Sequence, residues 1–307
     1  MSGLTWADTA DGVGEVRRAD GRPVARYSWL RANHPYFDEL RPLTHDGVLT
    51  AHAPHDHRWH HGLWWSWKFL NDVLFWEDHP DYGGNRAGLG RSTVVAHEVN
   101  QEGDAVVIDE RLEWRVDATG EALLTETRSI RVAADSGSPD VWTLDWDQEW
   151  TATTDVRLEV TPWPETTWGG YAGLNYRAAR AMAAKETILG DGIDGVTALH
   201  GTPSAWAAYT GLVDGAENDE PNRPAAGGVA LLQHPGNPQH PDPVYTFSAS
   251  GEFGFLATAP LMREPRTLTT GETLRLRTRV AVLGTTAEAD TVRSLYTAYA
   301  ADVAADA

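Results

Sequence analysis

The stretch VWTLDWDQEW (141–150) alternates strictly. Trp142, Leu144 and Trp146 fall on one side, and Thr143, Asp145, Asp147 and Glu149 on the other. Period-two alternation over this length describes a β-strand with one face buried and one facing water. The same reading extends along the chain. RSTVVAHEV (91–99) is rich in β-branched residues, and DAVVIDERLEWRV (104–116), EALLTETRSIRV (121–132) and TLRLRTRVAVLG (273–284) alternate in part. The polar clusters QEGD, DATGE, ADSGSPD and TTGE separate these runs as turns. Many strands joined by short turns predict an all-β, large antiparallel sandwich. The one clear helical pattern is TAEADTVRSLYTAYAADVAAD (286–306), a short C-terminal helix. ENDEPNRPAAGG (217–228) reads as a polar loop. No repeat or low-complexity linker divides the 307 residues, so one sandwich domain over 1–307 is expected.

Composition excludes several function classes. The chain has no cysteine, which removes disulfides, thiolate nucleophiles and Cys-ligated metal centres. A formal charge of −19 disfavours nucleic acid and anionic membrane surfaces as partners. No run of about 18 apolar residues is present to span a bilayer. The opening residues MSGLTWADTADGVGEV lack the basic and apolar regions of a secretion signal, so a cytoplasmic location is expected. Oligomeric state leaves no sequence signal.

The segment HDHRWHHGLWWSWKF (55–69) concentrates four histidines, four tryptophans and one of the chain's two lysines. Three readings compete. His57 and His60, with His55 or Asp56, could hold a divalent metal, although the spacing is not that of a helical HExxH motif. The histidines could pack among tryptophans in a core. Or imidazole could transfer protons while indole stacks on the C–H face of a sugar ring. Lys68, Asn71, Asp72, Trp76, Glu77 and Asp78 continue the polar–aromatic mixture, which favours a carbohydrate ligand and needs no cofactor. The carboxylates Asp147 and Glu149 belong either to a solvated outer face or to the pair that glycoside cleavage uses. In TPWPETTWGGYAGLNYRAAR (161–180), Gly169, Gly170 and Gly173 permit close backbone approach and Arg177 could fix an oxygen. In LLQHPGNPQHPDPVY (231–245), His234 and Asn237 sit in a rigid turn.

These motifs resemble a known family. DHRWHHGLWWSWKFLNDVLFWE (56–77) is similar to the DHxWHxGLWFSWKxINGVNYWE signature of the PmoA-like family, with Leu74-Phe75 in place of its Asn-Tyr. YFDELRPLTHDG (36–47), WGGYAGLNYRAAR (168–180), WAAYTG (206–211), QHPGNPQHPDP (233–243) and GETLRLRTRVAVLG (271–284) resemble its later segments in order. The family's methane oxygenase label describes a membrane subunit and does not suit a chain without a span. The resemblance implies a galactose mutarotase-like supersandwich that acts on sugars. The positions it carries over are Asp56, His57, His60, Lys68, Glu77, Arg177, His234 and Asn237.

The resulting expectation is an enzyme that cleaves or rearranges a glycoside or modified sugar, including keto-sugars. His57 and His60, with a carboxylate among Glu77, Asp147 and Glu149, would carry the proton transfers. Asp56, Lys68, Arg177, His234 and Asn237 would bind substrate oxygens, and Trp64, Trp65 or Trp67 would form the stacking wall. A non-catalytic carbohydrate-binding protein and a His-ligated metalloenzyme are the alternatives.

Overall fold

The computed structural model describes residues 3–305, apart from 80, 82–87, 135–136, 139, 167, 216–223 and 250; for 302–305 it describes the backbone only. The fold is nearly all-β. Among the described residues an eight-stranded sheet runs in the order Thr5–Ala10, Val13–Arg17, Pro23–Ser28, Tyr36–Asp38, Leu63–Ser66, Gly173–Arg177, Phe253–Thr258, Val244–Ala249. A nine-stranded sheet holds the five longest strands, in the order Gly90–Glu102, Ala105–Val116, Ala122–Ala134, Trp142–Ala152 and Thr273–Leu283, and continues through Ala226–Gln233 and Trp206–Leu212 to Glu186–Gly190 and Ile193–Asp194. A small four-stranded sheet holds the hairpin Phe69–Leu70/Val73–Leu74 beside Val156–Glu159 and Arg266–Leu268. All pairings between these strands are antiparallel.

The two large sheets face each other across one apolar layer. Leu63, Trp65, Leu174, Tyr176 and Leu256 from the first meet Ile108, Trp114, Leu124, Trp146, Trp150 and Val280 from the second. Alternation decides membership. In Leu63–Ser66 the successive tryptophans part: Trp65 enters this layer, and Trp64 joins a second apolar cluster on the sheet's other face. Trp67 also turns inward, and Trp65 and Trp67 both pack on Trp150 at ring-centroid distances of 5.1 and 5.0 Å. The stacking role expected for these two residues is therefore not where they sit; they fill the core.

The C-terminal helix is Ala289–Ala305. It lies on the outer face of the nine-stranded sheet, placing Val292, Leu295 and Tyr299 against Ala208, Ala230 and Ala281. These alanines are direct cross-strand neighbours, so the sheet presents a flat seat for the helix. The expected loop 217–228 falls mostly outside the described residues, and its last residues begin strand Ala226–Gln233.

Because Trp65 is 2% exposed in a close-packed layer, Trp65→Ala should cost about 3–5 kcal/mol of stability. Urea unfolding measures this. A loss below about 1 kcal/mol would contradict the interior placement.

Candidate functional site

The outer face of the eight-stranded sheet is covered by loops at its Leu63–Ser66, Gly173–Arg177, Phe253–Thr258 end, and the cover is incomplete. The gap is a cavity of about 670 Å³. Its polar lining includes Asp56, His57, His60, Lys68, Glu77 and Tyr171, and its aromatic lining includes Trp59, Trp76, Trp168, Tyr245, Phe253 and Phe255.

Three local devices assemble it. The first is the loop before strand Leu63–Ser66. His57 N–H donates to the Pro54 carbonyl and His60 N–H to the His57 carbonyl, each at 3.0 Å, so residues 54–60 curl in two turns rather than extending as a strand. His55 is consequently exposed, with Arg180 donating to its Nδ1 at 2.9 Å, while His57 and His60 point into the cavity. The second is a tight hairpin. Asn71 and Asp72 have φ of 48° and 66°, the left-handed pair a two-residue hairpin turn requires. It folds Lys68 back onto Glu77: the ammonium contacts a Glu77 carboxylate oxygen directly and donates to the Tyr171 hydroxyl at 2.6 Å, and that hydroxyl donates to the same Glu77 Oε1 at 3.1 Å. Lys68 and Glu77 are both buried, and a buried pair of this kind holds only while both members are present. Glu77 Oε2 has no protein partner.

The third device is Arg177. It points to the cavity side of its strand and is fully buried. Phe253 covers it, with the guanidinium carbon 3.4 Å from the ring centroid. Burial lowers its pKa to about 10, so it stays cationic at neutral pH. It donates to Asp56 Oδ2 at 2.8 Å, and Arg180 donates to Asp56 Oδ1 at 2.5 Å. Asp56 in turn accepts from His57 Nδ1 at 2.9 Å. Burial pulls the Asp56 pKa upward, but the His57 hydrogen bond and the Arg177 charge outweigh it, leaving it lowered to about 2. The carboxylate thus fixes the tautomer of His57, with Nδ1 protonated and Nε2 carrying the lone pair. Desolvation lowers the His57 pKa below its ordinary value, so the ring is neutral near pH 7.

His60 stacks between His57, at 4.8 Å, and Trp64, at 5.0 Å. Trp64 is fully buried and lies beneath the cavity rather than in its wall. Behind it His34 is buried with neither ring nitrogen bonded, 5.5 Å from His61. Desolvation holds the pKa of His34 and His60 well below normal and that of His61 at about 3. Among the described residues no group of three or more His, Asp or Glu has metal-holding geometry. The Nδ1 atoms of His55 and His57 are taken up by Arg180 and Asp56.

Four expected site residues lie elsewhere, apart from the two core tryptophans. Asp147 and Glu149 are on the outer face of the nine-stranded sheet, because alternation that buries Trp146 and Trp150 turns them out. Arg277 and Arg275 are their cross-strand neighbours, and Arg275 donates to Asp147 at 2.8 Å. A depression of about 620 Å³ there has charged walls that include the Asp147–Arg275 pair, and no tryptophan, tyrosine or phenylalanine among its described lining. His234 and Asn237 hold a turn against Thr273–Leu283: the Asn237 amide bonds the Arg277 backbone in both directions at 2.9 Å, and Gly236 N–H donates to His234 Nδ1. Neither lines the cavity. Sequence reasoning missed Trp59, Trp168, Tyr171, Tyr245, Phe253 and Phe255. Trp168 and Tyr171 flank the Gly169–Gly170 pair that had drawn attention, whereas nothing marks the phenylalanines apart from ordinary strand residues.

The buried imidazoles make stability depend on pH. In the unfolded chain they take up protons below about 6.5. In the fold His34, His60 and His61 do so only at lower pH, so stability is full above about 6.5 and falls as pH drops below it. The urea midpoint is expected to be lower at pH 5 than at pH 7.5. An equal or higher midpoint at pH 5 would be inconsistent with neutral buried histidines.

Comparison with known proteins gives a family and distant structural likenesses. A protein assigned provisionally as an aldose 1-epimerase, from Klebsiella pneumoniae subsp. pneumoniae, aligns with a TM-score of 0.40 and 9% identity over 97% of this chain and 83% of its own. A provisionally assigned mutarotase from Salmonella typhimurium aligns at 0.37 and 10% over 92% and 94%. A TPR-domain containing protein from Parabacteroides distasonis aligns at 0.40 and 10% over 92% of this chain and 47% of its own. No curated protein matches the chain. The family model that matches, over residues 16–297, is that of a family of unknown function, and the chain belongs to this family, DUF6807.

Proposed function

We propose that the protein is a carbohydrate-active enzyme that cleaves or rearranges a glycoside or modified sugar in the cavity between His57 and Lys68. The observation that carries this reading is the Arg177–Asp56–His57 arrangement opening onto a cavity walled by aromatic rings. A carboxylate that accepts from Nδ1 leaves Nε2 as a neutral base, and burial keeps that base unprotonated at working pH. Trp59, Trp76 and Phe253 line the cavity, and an aromatic wall suits the apolar side of a pyranose. The resemblance of residues 56–77 to the PmoA-like signature supports a sugar substrate.

In this reading His57 Nε2 withdraws a proton from the substrate. The Lys68 ammonium lines the cavity, held by Glu77 and Tyr171, and its positive charge would favour an oxygen that gains negative charge there. Asp56 orients His57 and stays ionised, so it is not a general acid. That leaves the pair of free carboxyl groups common in glycoside hydrolysis incomplete here and favours imidazole–ammonium chemistry. His60 is neutral and packed between rings, a support for His57 rather than a second base.

Turnover of a panel of glycosides and keto-glycosides tests the proposal. His57→Ala is expected to lower kcat by about 10²–10⁴-fold while the folded fraction stays constant. Sugar binding with no turnover in the wild type would instead mark a binding protein. The pH profile gives a second check. Activity requires neutral His57, so it should be lost as pH falls through the His57 pKa, which desolvation sets below about 6.5. An acid limb centred above pH 7 would contradict the assignment.

A further inference from the structure

Rings continue from His57 to the mouth of the cavity. From His57 an arc passes to Phe253 at 5.0 Å, to Phe247 at 5.3 Å and to Trp168 at 4.9 Å between centroids. Phe247 is on the edge strand Val244–Ala249 and does not line the cavity. Trp168, at the outer end of the arc, is 49% exposed. Its exposed indole, continuous with the aromatic wall through Phe247 and Phe253, forms an apolar patch at the mouth of the cavity.

The loop that carries Trp168 is built to hold it there. Thr166 Oγ1 donates to the Pro162 carbonyl at 2.6 Å, and Gly170 N–H donates to the Thr161 carbonyl at 2.8 Å. A Cβ on Gly169 would stand 2.0 Å from the Pro162 carbonyl oxygen, and Gly170 has φ of +93°. Neither position accommodates a side chain, so the two glycines close the loop with Trp168 at its rim and Tyr171 at the cavity floor.

Resting on the sugar reading above, we propose that Trp168, backed by Phe247, is the platform of a second subsite that stacks a second pyranose ring, so that the substrate class is a disaccharide or longer glycoside. Two further features fit. The cavity lies in the size range that encloses ligands larger than a lone pyranose. Thr161 and Thr166, on the loop that carries Trp168, also line the cavity and add polar lining beside the indole, which suits a hydroxylated ring better than a purely aromatic one.

Calorimetric titration of the whole protein tests this with matched probes: methyl β-glucoside against cellobiose, methyl α-glucoside against maltose, and methyl β-galactoside against lactose, plus 4-nitrophenyl glycosides. The wild type is expected to bind one disaccharide about 10-fold more tightly than its methyl glycoside, the scale of a good aromatic stacking contact. Trp168→Ala should remove that preference, and Trp168→Phe should restore part of it. Equal affinity for the two members of every pair, or a preference that survives Trp168→Ala, would overturn the second subsite while leaving the sugar reading intact. Tighter binding of nitrophenyl glycosides than of any disaccharide would also overturn it, assigning the platform to an aromatic aglycone. Binding of no probe at all would remove the sugar reading, and the proposal with it.

Discussion

Strands Leu63–Ser66 and Gly173–Arg177 are buried on both faces, and the rest of the arrangement follows from that constraint. Their inward residues, Leu63, Trp65, Leu174 and Tyr176, supply the layer between the sheets. Their outward residues, Trp64, Ser66, Asn175 and Arg177, would otherwise meet water, and the loops over them must cover one indole and one guanidinium. A buried guanidinium is tolerable only when paired. Asp56 supplies the charge, and in doing so it pins the curled loop 54–60 over the sheet and sets the orientation of His57. Covering the strand and building the site are thus one event.

The two outer faces of the sandwich are treated differently. On the nine-stranded sheet, Asp145 and Asp147 lie among Arg275, Arg277 and Arg279 on the neighbouring strand and largely cancel their charges, while a row of alanines seats the C-terminal helix. On the eight-stranded sheet the cover consists of loops rich in aromatic rings, with two ionic clusters set into it. One is Arg177–Asp56–His57 and the other Lys68–Glu77–Tyr171. The aromatic setting excludes water from the Lys68–Glu77 pair and from Arg177, which strengthens their charge interactions, while Asp56 and His57 stay partly exposed to the cavity.

Strand alternation was legible from residues alone wherever one face meets water, as in 141–150, where every tryptophan points in. It was not legible in 63–67, where both faces are buried and tandem tryptophans read as one cluster although the pleat sends Trp64 and Trp65 to opposite sides. Asp56, His57, Lys68 and Glu77 were accessible because one short segment holds them, and the Asn71–Asp72 turn then closes that segment on itself. His234 and Asn237 looked alike in chemistry, but their bonds go to the backbone of a strand in the other sheet. Phe253 and Phe255 carry no local signal, since their place in the wall depends on a pairing with Gly173–Arg177 that lies far off in sequence.

The central claim is that the working site is the cavity over the eight-stranded sheet and that its ligand is a sugar. The most direct test is a crystal structure of the protein soaked with the glycoside that binds most tightly in solution. A pyranose ring is expected in the cavity beside Trp59, Trp76 or Phe253, with a hydroxyl within hydrogen-bond distance of His57 Nε2. A sugar seated instead on the Asp147–Arg275 face, with the cavity holding only water, would contradict it.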